Sequence, residues 1–347
     1  MNSLWNNHLD SRTLTDTHQD GGLIPLSDHV LITVTGPDAR KFLQGQCTCD
    51  INRLDQNHWL LGAHCNVKGR MLSSFTAALL ADECIGLRVH LSVAESTAQA
   101  LQKYIVFSKA KCEISQYLAL GIIGQATLPE LTATARALED GQFTHTQFGT
   151  LLRHDADLAE LWISQDTLQN TSDVQAWLSR GPLLSAQHWQ QQMIVRGRAE
   201  VQRTTADTYL PQAFNYDLIG GVNFKKGCYT GQEIIARLHY KGQSKQRVHA
   251  MQLADNSQLN EHGPIEVGQT VINAQGTSVG QVVAARAGQI GTQLLICSKA
   301  FNTDNAQLFV VANETSPLEA SATVIEAKRT TVHSTALEPL SLPYAIP

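Results

Sequence analysis

Cys228 sits between two lysines and a helix start in the run Phe224-Lys225-Lys226-Gly227-Cys228-Tyr229-Thr230-Gly231-Gln232-Glu233, the strongest chemical signal in this 347-residue chain. A thiol attacks carbon or binds iron as its anion, which neighbouring cations and the positive end of a helix dipole favour. Lys225 and Lys226 supply the cations, and a helix opening near Gly231 supplies the dipole. That opening is read from Thr230 and Glu233, which have capping-box spacing: the hydroxyl accepts from the Glu233 N–H and the carboxylate returns to the Thr230 N–H. Tyr229 and Ile234 fit a hydrophobic staple, while Ile234, Ile235 and Leu238 form an apolar stripe and Gly242 stops the helix. Cys228, Lys226, Tyr229 and Glu233 are therefore candidate reactive-site residues. An ordinary capped helix beside an inert, buried thiol has the same local features, and spacing alone does not choose.

Other residues offer binding chemistry. Trp189 falls on an expected helix over residues 185–195, where it either stacks on a planar heterocycle or anchors the core. Lys68 and Arg70, on a Lys-Gly-Arg turn, suit a carboxylate tail or an RNA phosphate, or are simply solvated. Arg237, His239, Lys241, Lys245 and Arg247, interleaved with Tyr240, form a basic stretch that reads as a nucleic-acid contact or a wet face. No phosphate-binding Gly-x-x-x-x-Gly-Lys-Ser/Thr loop, Gly-x-Ser-x-Gly elbow or His-Glu-x-x-His helix occurs.

These groups need elements to hold them. Residues 29–35 are β-branched and apolar enough for a strand, followed by Gly36-Pro37 opening a helix that carries Phe42 and Leu43. Strand-like runs recur at 59–65, 71–80, 86–91, 117–123 and 158–164, with Ser92 and Glu95 as a capping box for a helix burying Ala98, Leu101 and Ile105. Such alternation without long βαβ units indicates an α+β fold. From about residue 245 the texture changes to short apolar runs at 247–253, 269–272, 280–285, 293–298 and 307–311, the pattern of a small antiparallel barrel.

Composition sets the bounds. The length favours two or three domains, and 43% hydrophobic with 16% charged residues indicates a folded soluble chain. The longest apolar run, 75–81, is too short for a bilayer, and the polar start lacks a signal-peptide core, so a cytoplasmic location and no membrane contact are expected. Seven scattered cysteines, an odd number, indicate reduced thiols, and Cys47-Thr48-Cys49 is too tight for a four-ligand zinc site, so no metal is expected. A net charge of −5 confines any nucleic-acid contact to a local patch.

The octapeptide Lys226-Gly227-Cys228-Tyr229-Thr230-Gly231-Gln232-Glu233 resembles the signature of YgfZ-type folate-binding proteins, relatives of the glycine-cleavage T-protein. The similarity extends through Val34-Thr35-Gly36-Pro37-Asp38, Phe42-Leu43-Gln44-Gly45-Gln46, residues 62–71, residues 103–109, Leu210-Pro211-Gln212-Ala213 and Gly220-Gly221. It implies a T-protein-like fold: a flexible segment 1–20, a folate-binding α+β domain from 21–112 plus 185–244, a ferredoxin-like unit 113–184, a β-barrel 245–327 and a C-terminal strap 328–347. It also implies tetrahydrofolate, or a derivative, as cofactor, contacted by Trp189, by His29 where relatives carry a second tryptophan, and by Lys68, Arg70 and Gln212. T-proteins carry an acid in the region of Asn66-Val67-Lys68-Gly69-Arg70, which has none here. The resemblance thus points to a monomeric accessory protein serving iron–sulfur enzymes of tRNA modification, with direct tRNA contact open; the alternative is a folate-dependent one-carbon transferase. Whether Cys228 attacks carbon, holds iron or senses redox state stays open, since each needs an exposed thiol.

Overall fold

The computed structural model describes residues 5, 14, 21–124, 129–180, 183–253, 264–287, 291–299, 307–311 and 336–347. Most of the segment expected to be flexible at the N-terminus, the end of the expected barrel and the first part of the strap lie outside the described residues. Trp5, within that N-terminal segment, is fully buried in a core cluster. Contacts divide the chain into two compact units, Met1–Gln192 with Glu200–Gln243, and Met193–Ala199 with Ser244–Pro347.

The first unit begins β1 (Gly21–Pro25), β2 (His29–Thr35), α1 (Ala39–Gln44), β3 (Leu60–Cys65), β4 (Met71–Ala81), β5 (Cys84–His90), α2 (Leu91–Ile105), β6 (Lys111–Ile114) and β7 (Tyr117–Gly124). It continues through α3 (Pro129–Ala137), β8 (Phe143–Thr146), β9 (Gly149–Arg153), β10 (Leu158–Ser164), α4 (Gln165–Asn170), α5 (Ser172–Arg180), α6 (Ala186–Val195, whose last three residues count with the second unit) and α7 (Gln232–Lys241). Two five-stranded sheets result, ordered β1-β7-β10-β9-β8 and β3-β4-β5-β2-β6, and their described pairings are all antiparallel. In β2 and β10 every residue but the last is buried, so both strands are covered on both faces, which explains their continuous apolar runs. A core cluster containing Leu120, Ile122, Leu161, Ile163 and Leu168 fills one side of the first sheet.

Helix α2 starts one residue before the expected cap. His90 is its N-cap, with Nδ1 accepting the Ser92 N–H at 3.2 Å, so the Ser92/Glu95 capping box is not what opens it. Its expected inner face is correct: Ala98, Leu101 and Ile105 are buried.

The second unit is a curled six-stranded sheet: β11 (Gln246–Leu253), β12 (Thr270–Asn273), β13 (Ser278–Ala287), β14 (Thr292–Lys299), β15 (Leu308–Val310) and β16 (Glu338–Leu340), ordered β15-β12-β13-β14-β11-β16. Bulges after Val271 and Val282 bend it around a core of Met251, Val271, Val282, Leu294 and Ile296. One bond, the Leu337 N–H to the Leu308 carbonyl at 2.8 Å, ties its two edges. Strand β16 carries Pro339, which an edge strand tolerates because no ladder donor is needed on its outer side.

Candidate functional site

Three segments of the first unit converge around Cys228. Residue 226 is the centre of the arrangement: Lys226 Nζ donates to the carbonyls of Gln44, Cys47 and Cys49, each at 2.7 Å, and lies 5.1 Å from the centre of the Tyr229 ring. An ammonium has three donors, so all of them are spent on this cage. Burial pulls the Lys226 ammonium below its ordinary pKa, and burial raises Tyr229. Lys226 therefore shapes the loop that presents the thiol. Two further bonds fasten the same segments: Thr48 Oγ1 to the Gly221 carbonyl at 2.6 Å and the Asn223 N–H to the Thr48 carbonyl at 2.9 Å. Asn223 Oδ1 then accepts from the Lys225 and Lys226 amides at 2.8 and 3.1 Å, turning the chain so that Cys228 is exposed as a free thiol.

The helix after the thiol opens differently from the capping-box expectation. The Thr230 N–H is taken by the Gly45 carbonyl at 3.2 Å, the N-cap is Gly231 at φ +83°, and no side chain caps the helix. Glu233 is consequently exposed in the first turn, where its charge complements the helix dipole. Ile235 is fully buried, but Ile234 is 40% exposed, so the expected apolar stripe is narrower than read. Gly231 is required here twice over: its φ is left-handed, and a Cβ would sit 2.4 Å from the Asn66 carbonyl. Gly231→Ala is expected to destabilise the protein by about 1–3 kcal/mol, read as a lowered urea midpoint; an unchanged midpoint would show that the approach of these two loops is not needed.

The Asn66 turn is the third segment. Asn66 Oδ1 accepts from the Lys68 and Arg70 amides at 2.8 and 3.1 Å, and its Nδ2 donates to the Asp207 carboxylate. Arg70 Nη1 donates to the Asp207 carbonyl at 3.1 Å, while Lys68 is exposed. Asp207 thus brings a carboxylate to a turn that has none in its own sequence, and no local pattern announces it. Gln212 is 1% exposed with Nε2 donating to the Ile235 carbonyl at 2.8 Å, a bond that holds the base of α7. Nearby Cys47, Cys49 and Cys65 are buried, and burial pushes Cys49 up to about 12. Among the described residues no three His, Cys, Asp or Glu side chains gather as a metal site.

Trp189 and His29 belong to a different cluster, built on charges that lie within apolar strands. Arg88 on β5 is 2% exposed and pairs with Glu160 on β10 at 2.7 Å and with Glu200 at 3.0 Å. Glu200 also meets His29 Nε2 at 2.8 Å, and Glu160 meets His154 Nε2 at 3.1 Å and accepts from Trp162 Nε1. Burial opposes every charge here, yet pairing outweighs it: Arg88 is held above its ordinary pKa and both carboxyls below theirs. Trp189 is 1% exposed, with the Arg88 guanidinium 5.4 Å from its ring centre and His154 edge-on at 5.6 Å. Its Nε1 is buried without a hydrogen-bond partner. Residues Arg88, Glu160, Glu200 and His154 were not singled out from the sequence. The available signal was a charge inside an apolar strand, as in Gly86-Leu87-Arg88-Val89 and Ala159-Glu160-Leu161-Trp162.

Comparison with solved structures defines the fold. The glycine cleavage system aminomethyltransferase T of Bartonella henselae superposes with a TM-score of 0.67 over 98% of this chain and 89% of that chain, at 16% identity. The T-protein fold is therefore present at a sequence distance that carries nothing beyond fold. No family model matches the sequence. Among curated proteins, the tRNA-modifying protein YgfZ of Yersinia pestis (strain Pestoides F) is 32% identical over 230 residues, covering 65% of this chain and 69% of its own. YgfZ of Photobacterium profundum is 33% identical over 228 residues, covering 65% and 68%. The chain belongs to the family of the tRNA-modifying protein YgfZ.

Proposed function

We propose that this protein is a tetrahydrofolate-binding accessory factor of tRNA modification, maintaining iron–sulfur enzymes that thiolate tRNA, with Cys228 as its working thiol. The observation that carries the reading is the exposed Cys228 on a loop clamped by the triple carbonyl contact of Lys226. The role for which the relatives are named, tRNA modification, supplies the context. Among the described residues no helix is long and apolar enough to cross a membrane, and a cytoplasmic site of action is part of the proposal.

The buried cluster fits a reduced pterin. Trp189 offers an unpartnered Nε1 donor beside a ring face, and Glu200 offers a carboxylate acceptor set by His29 and Arg88. Lys68 is the exposed cation suited to a glutamate tail, with Arg70 beside it. The vitamin, when bound, supplies a carrier for one-carbon units; the chain's own part is to hold it and to keep a thiol accessible. Titration calorimetry with tetrahydrofolate tests this. Trp189→Phe keeps the ring and removes the donor, and is expected to weaken binding about tenfold, while Trp189→Ala also loses fluorescence quenching. Unchanged affinity in Trp189→Phe assigns the side chain to the core alone.

A second reading, folate-dependent one-carbon transfer, is favoured by one observation: Asp207 sets a carboxylate against the Asn66–Arg70 turn. Single-turnover loss of the carbon unit from methylenetetrahydrofolate separates the two, because the accessory role predicts binding without transfer.

A further inference from the structure

The C-terminal turn of α7 carries aromatic rings that the thiol chemistry does not use. Phe224 and His239 stack at 3.6 Å between centroids, only 10° from parallel. Tyr240 stands edge-on to both, at 6.2 and 4.8 Å, and is 66% exposed. His239 is exposed as well. A stacked pair next to a largely uncovered tyrosine is an unusual use of aromatic surface, because rings at the end of a helix normally bury against a core. The electrostatics around them are equally one-sided. Residues 221–243 hold four cations, Lys225, Lys226, Arg237 and Lys241, against the single acid Glu233, in a chain whose net charge is −5. Lys226 is consumed by its carbonyls, but Lys225, Arg237 and Lys241 are exposed and form no ion pair among the described residues.

Exposed π-faces beside unpaired cations match a single-stranded nucleic acid: bases stack on the rings, phosphates meet the cations, and neither contact reads sequence. A protein partner accounts for the rings but gives no reason for this excess of positive charge. We propose that Phe224, His239 and Tyr240 form a stacking platform for an unpaired base of the RNA whose modification the protein serves, with Lys225, Arg237 and Lys241 holding the adjoining backbone. The platform rests on the tRNA-modification reading and gives it a point of contact: Phe224 lies four residues before Cys228, on the clamped loop itself. An RNA seated there lies against the segment that presents the thiol.

Fluorescence anisotropy of the full chain with a labelled single-stranded RNA of about 12 nucleotides tests the platform. The parent is expected to prefer the single strand to its duplex, with a log–log salt slope containing about −2 from three cations on single-stranded phosphates. Tyr240→Ala should weaken binding roughly tenfold or more at an unchanged salt slope, and Tyr240→Phe should restore it. The triple change Lys225→Gln, Arg237→Gln, Lys241→Gln should flatten the slope by about 2. No binding tighter than about 10⁻⁴ M, equal affinity for the duplex, or a Tyr240→Ala isotherm within about twofold of the parent overturns the proposal and leaves this face to a protein partner. Tetrahydrofolate affinity, measured on the same Tyr240→Ala protein and expected to be unchanged, keeps the two readings apart. Loss of RNA binding with folate binding intact indicts the platform alone, and absent folate binding in the parent indicts the accessory role alone.

Discussion

Cys228→Ser is expected to abolish tRNA thiolation in cells that depend on this protein, at least a hundredfold in the modified-nucleoside yield, while leaving the urea midpoint and tetrahydrofolate affinity of the purified protein unchanged. The replacement is nearly isosteric and the side chain is exposed, so packing has nothing to lose. What disappears is an accessible sulfur able to bind iron and to accept or donate a covalent link. Thiol labelling gives an independent check on the same atom. Cys84 is half-buried and Cys47, Cys49, Cys65, Cys112 and Cys297 are buried, so iodoacetamide should modify the folded parent at one site first, and that fast phase should vanish in Cys228→Ser. Full thiolation by the variant would remove sulfur from the mechanism altogether.

Arg88→Ala is expected to destabilise the protein by about 3–5 kcal/mol, because it leaves the Glu160 carboxylate, at 0% exposure, to His154 and Trp162 without its guanidinium and deprives Glu200 of the same group. The loss arises in the core, not on the surface: exposed ion pairs contribute ~1 kcal/mol or less, whereas a buried carboxylate without its cation must be neutralised or hydrated. Arg88→Met combined with Glu160→Gln should recover part of the loss, since the fully buried carboxylate is then neutral and the remaining charge, Glu200, keeps His29. Equilibrium urea unfolding of the single and double variants measures the effect, and a single variant within about 1 kcal/mol of the parent would show that the pair is not needed for stability. Arg88 also lies against Trp189, so both variants, compared at full folding, should bind tetrahydrofolate more weakly than the parent.

How far the sequence could be read depended on how local each cause was. The strand His29–Thr35 and the strand Leu158–Ser164 match the expected runs residue for residue, because an unbroken β-branched and apolar stretch is a property of the stretch itself. The runs expected beyond residue 245 likewise correspond to β11 through β15. Strand β16 was missed, since Pro339 argues against a strand unless its edge position is known. The capping box at Thr230 failed for a tertiary reason: the amide it needed is bonded to Gly45. Ser92 failed for a local one, His90 being a cap that the usual Ser, Thr, Asp and Asn preference does not suggest. Within the site, Cys228 is exposed, where its spacing alone left exposed and buried positions open, but the employment of Lys226 was invisible. Its three acceptors are main-chain carbonyls, which every sequence possesses everywhere, so nothing in the spelling of residues 44–49 marks them as a cage. Arg88, Glu160 and Glu200 were equally hidden, each partner lying at least 40 positions away from the next.

The carbonyl cage makes one nitrogen atom the keystone of the loop. Three oxygens converge on a tetrahedral ammonium, a shape that the flat fork of an arginine cannot reproduce, so retaining positive charge at position 226 would not retain the loop. Acylation of that amine, which leaves a single N–H, would unfasten the sulfur's platform without touching the sulfur.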